Sequence, residues 1–294
     1  MNFQVEETIR ARRSVRSYQN RPLSQADRAA VQTLLDEVCK AETPFPARLQ
    51  MRLLEAKPGT DTEKLGTYGV IRGASAFVGV AVKNEETAME AVGYSFEKFV
   101  LAATAMGLGT CWLAGTFNRD QFENAMELAE DDVFLIACPI GYPSKKKTLV
   151  NSVFRRVSGS DQRKPWDALF FDGVFGRPLS REAVGEYAFP LEMLRLAPSA
   201  ANRQPWRIVR QDNSFHFYRE AAAGNKYPYD LPRLDVGIGA CHFHMAAMDH
   251  GLLGTFIRLS EPEVTAPGKV KYLFSWQMEK AQNEECSTSA LSSP

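Results

Sequence analysis

The sequence predicts an α+β fold in α/β/α layers, built by internal duplication within 294 residues. Three observations predict it. Helical and strand patterns are interspersed along the chain rather than segregated, which calls for packed layers of helix and sheet. The tetrapeptide RPLS occurs at 21–24 and again at 177–180, each time just before a helical pattern. Further along, AVGYSFEKFVLAATAMGLGT (91–110) resembles DVGIGACHFHMAAMDHGLLGT (235–255). Val92-Gly93 falls on Val236-Gly237, Ala102-Ala103 on Ala246-Ala247 and Gly107-Leu108 on Gly251-Leu252, all at one offset. Order and spacing recur together.

The elements follow in order. A short helix is expected near 4–13. Ser24 caps a helix over 25–39, and Asp27, three residues on, completes a capping box. Periodicity predicts strands near 49–56 and 76–82, a long helix at 86–106 and a strand at 133–139. A basic helix should run from Ser144 to about Arg156. The polar run SGSDQRKPW (158–166) reads as a linker between halves spanning 1–157 and 167–280. The second half repeats the pattern, with a helix at 181–195, strands at 206–210 and 214–219, a helix at 236–250 and a strand at 269–276. The closing AQNEECSTSALSSP (281–294) reads as a disordered tail.

Composition excludes several classes. Lys plus Arg and Asp plus Glu are 35 each, so the net charge is zero and no electrostatic footprint points to nucleic acid or an anionic membrane. No apolar run approaches the ~18 residues of a spanning helix, VFLIACPI (133–140) being among the longest. The start lacks the apolar core of a secretory signal. Five cysteines (39, 111, 138, 241, 286) form no CxxC pair, and an odd count argues against a disulfide framework. A reduced, cytoplasmic protein is expected.

Two segments carry candidate chemistry. Arg12, Arg13, Ser14 and Arg16, at the end of a helix and the turn after it, offer guanidinium and hydroxyl donors suited to a phosphate dianion. The alternative is a cationic helix C-terminus complementing the helix dipole. In APSAANRQPW (197–206), Ser199, Asn202 and Gln204 supply a hydroxyl and two amides, which carry both donors and acceptors. The alternative is a Pro-rich turn before a strand with Trp206 packed in the core. His242 and His244, two apart on a helix, point to different faces and read as structural rather than metal ligands. Cys111 reads as a buried small hydrophobe. GLGT (107–110) follows a helix and lacks dinucleotide-fingerprint spacing. No Ser-His-Asp order or carboxylate pair stands out, so no catalytic side chain and no metal are expected.

Together, RRSVRSYQNRPLS, LAPSAANRQPW, LAATAMGLGTCWLAG and IGYP resemble the flavin-dependent nitroreductase family over most of the chain. That resemblance implies a flavin mononucleotide (FMN) cofactor. It also implies NADH or NADPH as hydride donor, and a nitroaromatic, quinone or similar acceptor reduced in a ping-pong cycle. Family members build two FMN sites at a homodimer interface, the arginine segment coming from one subunit and the Pro-Ser-x-x-Asn loop from the other. Here the RPLS offset lays Arg12–Arg16 on Ala168–Asp172, where every basic residue is gone, and Ala197–Trp206 on AETPFPARLQ (41–50), where the loop is lost. Each half has kept what the other lacks. The chain therefore resembles single-chain, fused nitroreductases: a monomer acting as a pseudo-dimer with one live site.

By the same resemblance, Arg12, Arg13, Ser14 and Arg16 bind phosphate, with Lys147 as a further candidate from the basic run 145–156. Leu113, Ala114 and Gly115 pass under the flavin ring, a backbone N–H of Ala114 or Gly115 reaching its N5. Pro198, Ser199, Ala200, Asn202 and Gln204 meet the polar edge and ribityl chain. The alternatives are a flavin-binding sensor or storage protein without turnover, or another flavin reaction on the same fold.

Overall fold

The computed structural model, described over residues 3–55, 66–145, 162–221, 229–260 and 264–279, shows one pattern twice. The first copy runs α1 (Val5–Ala11), α2 (Gln25–Lys40), β1 (Leu49–Glu55), β2 (Ala76–Lys83), α3 (Ala88–Ala105), β3 (Gly109–Thr110), α4 (Arg119–Met126) and β4 (Asp132–Gly141). The second runs β5 (Phe170–Asp172), α5 (Arg181–Val184), α6 (Ala188–Leu196), β6 (Trp206–Gln211), β7 (Ser214–Glu220), α7 (Leu231–Asp249), β8 (Gly254–Ile257) and β9 (Val270–Met278). The expected tail (281–294) and the basic run from residue 146 lie outside the described residues, as do residues 158–161 of the expected linker.

Sheet topology repeats. The first sheet has the order β1-β2-β4-β3, and the second β5-β6-β7-β9-β8, which is the same order with β5 added at one edge. The shared pairings are antiparallel, and the register shifts at Val80/Ala81 in one copy and at Phe217/Tyr218 in the other. Such bulges are features of a fold rather than defects, so a matching one marks common descent of the two sheets.

Helix ends repeat too. In each RPLS the serine caps a helix, Ser24 accepting from the Asp27 N–H and Ser180 from the Ala183 N–H, both at 3.1 Å. Helix α3 closes with Gly107 N–H donating to Thr104 C=O and Leu108 N–H to Ala103 C=O. Helix α7 closes with Gly251 N–H to Met248 C=O and Leu252 N–H to Ala247 C=O, the residues at the repeat offset. Gly107 and Gly251 sit at φ +77° and +69°, the left-handed conformation that ends a helix and that glycine adopts without a Cβ penalty.

Helices α3 and α7 are apolar nearly all round, and each is buried along most of its length. They cross each other under a local two-fold relation. A Cβ added at Gly93 would collide with the Leu234 carbonyl and lie 2.9 Å from Ile238 N. A Cβ at Gly237 would collide with the Glu90 carbonyl and lie 2.9 Å from Glu90 Cα. Gly93 and Gly237 are repeat partners, as are Glu90 and Leu234, so each contact exchanges with the other. That is the signature of an isologous interface, here closed within one chain. The main cluster of buried side chains runs through both copies without a break, from Val31 and Phe96 to Phe243 and Trp276. The fold is thus a pseudo-dimer.

Candidate functional site

The arginine segment leaves α1 and runs beside β3. Ser14 pairs in parallel with Thr110, the Val15 N–H donating to the Thr110 carbonyl at 2.8 Å. Gly109 permits this approach, since a Cβ there would lie 2.8 Å from Val15 Cβ. The segment therefore lies against the strand that leads straight into Cys111–Gly115, joining two of the expected parts. Arg13 and Ser14 are exposed and Arg16 is half-buried. The Ser14 hydroxyl bonds the Cys111 thiol, whose pKa burial nevertheless raises. Arg13 also donates to the carbonyls of Arg10 and Arg12, at 2.5 and 2.7 Å, so one arginine does complement the end of its helix.

Arg12 turns inward. Its Nε lies 3.9 Å from a Glu97 oxygen and makes no hydrogen bond among the described residues, and burial pulls its pKa down against the opposing effect of Glu97. Side-chain direction at a helix end cannot be read from spacing, which alone groups Arg12 with its neighbours.

In the Cys111–Gly115 loop, Leu113 exchanges both backbone hydrogen bonds with Ala137 of β4, each 3.1 Å. The Trp112 indole N–H donates to Glu97 at 2.8 Å. These two contacts pin the loop. The N–H groups of Ala114 and Gly115 have no acceptor among the described residues.

The second-half loop is held in an unusual conformation. Ala201, Asn202 and Gln204 have φ of +50°, +54° and +49°, a region costly for residues with a Cβ and found at ligand clamps when the surroundings enforce it. Three contacts enforce it here. The Gln204 N–H donates to the Ser199 hydroxyl at 2.8 Å, and the Ala200 N–H to buried Asp235 of α7 at 3.0 Å. The third is the connector. Lys164 N–H donates to the Gln204 side-chain carbonyl at 2.7 Å, and the Asn202 amide donates to the Gln162 carbonyl at 2.9 Å. The Asn202 and Gln204 amides, expected to face a ligand, also bond residues 162–164 and brace the loop against them. Pro198 and Ser199 are half-buried, and Ala200 is exposed. Lys147 lies outside the described residues.

Two residues that sequence reasoning passed over hold these parts. Glu97 of α3 receives Trp112 and faces Arg12 and His242; Asp235 of α7 receives Ala200. A carboxylate inside an otherwise apolar helix was the signal available for both.

The repeat relation breaks just before the second RPLS. Offset arithmetic put Ala168–Asp172 in the role of Arg12–Arg16. Yet Phe170–Asp172 pairs in parallel with Ile208–Arg210 of β6, at the edge of the second sheet farthest from β8, whereas Ser14 borders β3, the counterpart of β8. Asp172 there pairs with Arg177 at 3.2 Å.

The counterpart segments by repeat, 43–48 and 256–260, meet in an aromatic cluster. Phe45 is buried, its ring 4.7 Å from Phe274, 5.5 Å from Phe256 and 5.7 Å from Tyr94. Burying such a ring contributes ~1.5–3 kcal/mol. The cavity left among Pro44, Pro46, Ile257 and Leu273 is about 110 Å³. For scale, an apolar cavity of ~150 Å³ takes a single benzene ring.

Paired central helices carrying a sheet on either side define the nitroreductase class of fold. The chain belongs to the family described as "Putative TM nitroreductase", whose match covers residues 4–247. Among solved structures, a protein described as a putative nitroreductase from Thermotoga maritima is similar along 95% of both chains, with a TM-score of 0.58 and 18% identity. A nitroreductase from Bacteroides fragilis with bound FMN aligns over 50% of this chain and 92% of its own, at a TM-score of 0.39 and 20% identity. A putative nitroreductase from Desulfovibrio desulfuricans in complex with FMN aligns over 52% and 96%, at 0.37 and 23%. No curated protein matches the chain. No described helix is long and apolar enough to cross a membrane.

Proposed function

We propose that the chain is an FMN-dependent oxidoreductase that takes hydride from NADH or NADPH and passes it to a nitroaromatic, quinone or similar small acceptor. It works as a cytoplasmic monomer whose halves, 1–157 and 167–280, are joined by the linker 158–166. The observation that carries this reading is the pair of N–H groups of Ala114 and Gly115. They lack an acceptor among the described residues, on a loop that Ser14–Thr110 pairing sets beside Arg13, Ser14 and Arg16. Family membership supports it.

The residues present fit the cofactor. Arg13, Ser14 and Arg16 would hold its phosphate through charge-assisted and hydroxyl donors. The Ala114 and Gly115 N–H groups would face the reacting edge of the ring. From the second half, Pro198, Ser199 and Ala200 would complete the site, with Asn202 and Gln204 bracing them. FMN, when bound, supplies the atom that accepts and releases hydride, while the protein orients it and excludes water.

The test is spectroscopic: NADH or NADPH should bleach the bound flavin, and an acceptor should restore its colour. A flavin that stays oxidised under both reductants would favour binding without turnover. Arg16→Ala should weaken FMN binding by roughly one to two decades, the ~1.5–3 kcal/mol of a charge-assisted contact. Asp172→Ala, at the far sheet edge, should leave the affinity unchanged. Fluorescence titration measures both, and equal effects would contradict the assignment of the arginine side.

A further inference from the structure

We propose that Glu97 is the positioning residue that couples the second half of the chain to the loop expected to face the flavin; this rests on the reading above. Glu97 is fully buried on α3, and its two oxygens serve different halves. Oε2 accepts from the indole N–H of Trp112, the residue between Cys111 and Leu113, at 2.8 Å. Oε1 lies 2.9 Å from Nε2 of His242, itself fully buried on α7. The Arg12 guanidinium is the third neighbour, at 3.9 Å. One side chain thus touches the segment before the phosphate arginines, the flavin-facing loop and the opposite half.

Proton placement makes the link specific. Nδ1 of His242 lies 3.1 Å from the Met193 carbonyl, which can only accept, so this nitrogen carries a proton. A second proton must then lie between Nε2 and Glu97, either as imidazolium with carboxylate or as imidazole with carboxylic acid. Either form is neutral as a pair and leaves Arg12 with its charge. Glutamine meets the same geometry: its carbonyl accepts from Trp112 and its amide donates to a neutral His242. Leucine meets none of it. Removing one partner of a buried pair leaves the others uncompensated and is costly, so the Trp112 resonance and the Glu97→Gln variant, rather than stability, separate a positioning role from a purely structural one.

The experiment compares the wild type with Glu97→Gln and Glu97→Leu. It reads FMN affinity, thermal midpoint and the Trp112 indole N–H resonance in protein labelled with ¹⁵N-tryptophan, assigned through Trp112→Phe. Glu97→Leu should weaken FMN binding about tenfold to a hundredfold and shift the Trp112 resonance, with Glu97→Gln near wild type in affinity. If Glu97→Leu fails to fold, His242→Leu should shift the same resonance from the opposite half. Wild-type affinity in Glu97→Leu would overturn the proposal and leave the FMN reading standing. A wild type that binds no FMN would overturn that reading. A Trp112 resonance indifferent to both Glu97→Leu and His242→Leu would overturn the coupling whether or not flavin binds.

Discussion

Gly93→Ala is expected to destabilise the protein by about 3 kcal/mol or more, at the upper end of overpacking effects. The added methyl would meet backbone, the carbonyl of Leu234 and the nitrogen of Ile238, rather than a side chain that could turn away. The helices α3 and α7 must separate to admit it, and both are buried along most of their length. At ~2–4 °C per kcal/mol for a chain of a few hundred residues, the melting midpoint should fall by roughly ten degrees. Gly237→Ala should act alike, because its methyl would meet the Glu90 backbone across the same two-fold relation. Gly268→Ala has nothing within 4 Å of the added methyl and should change little. Calorimetry decides, and wild-type midpoints for Gly93→Ala and Gly237→Ala would mean that α3 and α7 do not cross in backbone contact.

Asp235→Asn should flatten the dependence of stability on pH. Burial pushes the Asp235 carboxyl up to about 7, against the lowering effects of the Ala200 N–H and of Arg203. The native state then holds this proton more tightly than the unfolded chain does, so stability falls as pH rises from about 4 to 7 and levels off above. Holding the proton to about pH 7 rather than about pH 4 is worth at most about 4 kcal/mol. Asparagine keeps an oxygen for the Ala200 N–H and carries no charge to bury, so the variant should lose most of that slope and gain on the wild type at pH 8. Urea midpoints between pH 4.5 and 8 measure this; parallel curves for the two proteins would show that Asp235 titrates elsewhere.

Much of the fold is legible in the sequence because its signals are local and repeated. Each RPLS marks a serine cap, and each Gly-Leu after a long apolar run marks a left-handed helix end. What escaped is short or directional. β3 has two residues, β5 three and β8 four, too few for alternation to declare itself. α4 has no repeat partner to support it, and its Phe122 covers the outer face of the first sheet. At the site, the run of arginines and the strained loop are legible as segments. The inward turn of Arg12 and the pairing of Asn202 and Gln204 with the connector are not, since both depend on what the folded chain brings near. Asp172 shows the limit of repeat arithmetic: an offset carried over from RPLS fails just upstream of it, where the chain has gone to the other edge of the sheet.

If one chain folds as its own dimer, with one site retained and the other closed by Phe45, it carries one flavin site. The most direct measurement is the flavin content of the purified, FMN-reconstituted protein, by absorbance of released flavin against protein concentration, with the mass in solution determined alongside. One FMN per chain and a monomer are expected. Two flavins per chain would mean that the aromatic cluster around Phe45 does not close the second site, and no binding at all would mean that Arg13, Ser14, Arg16 and the Ala114–Gly115 amides do not form the first.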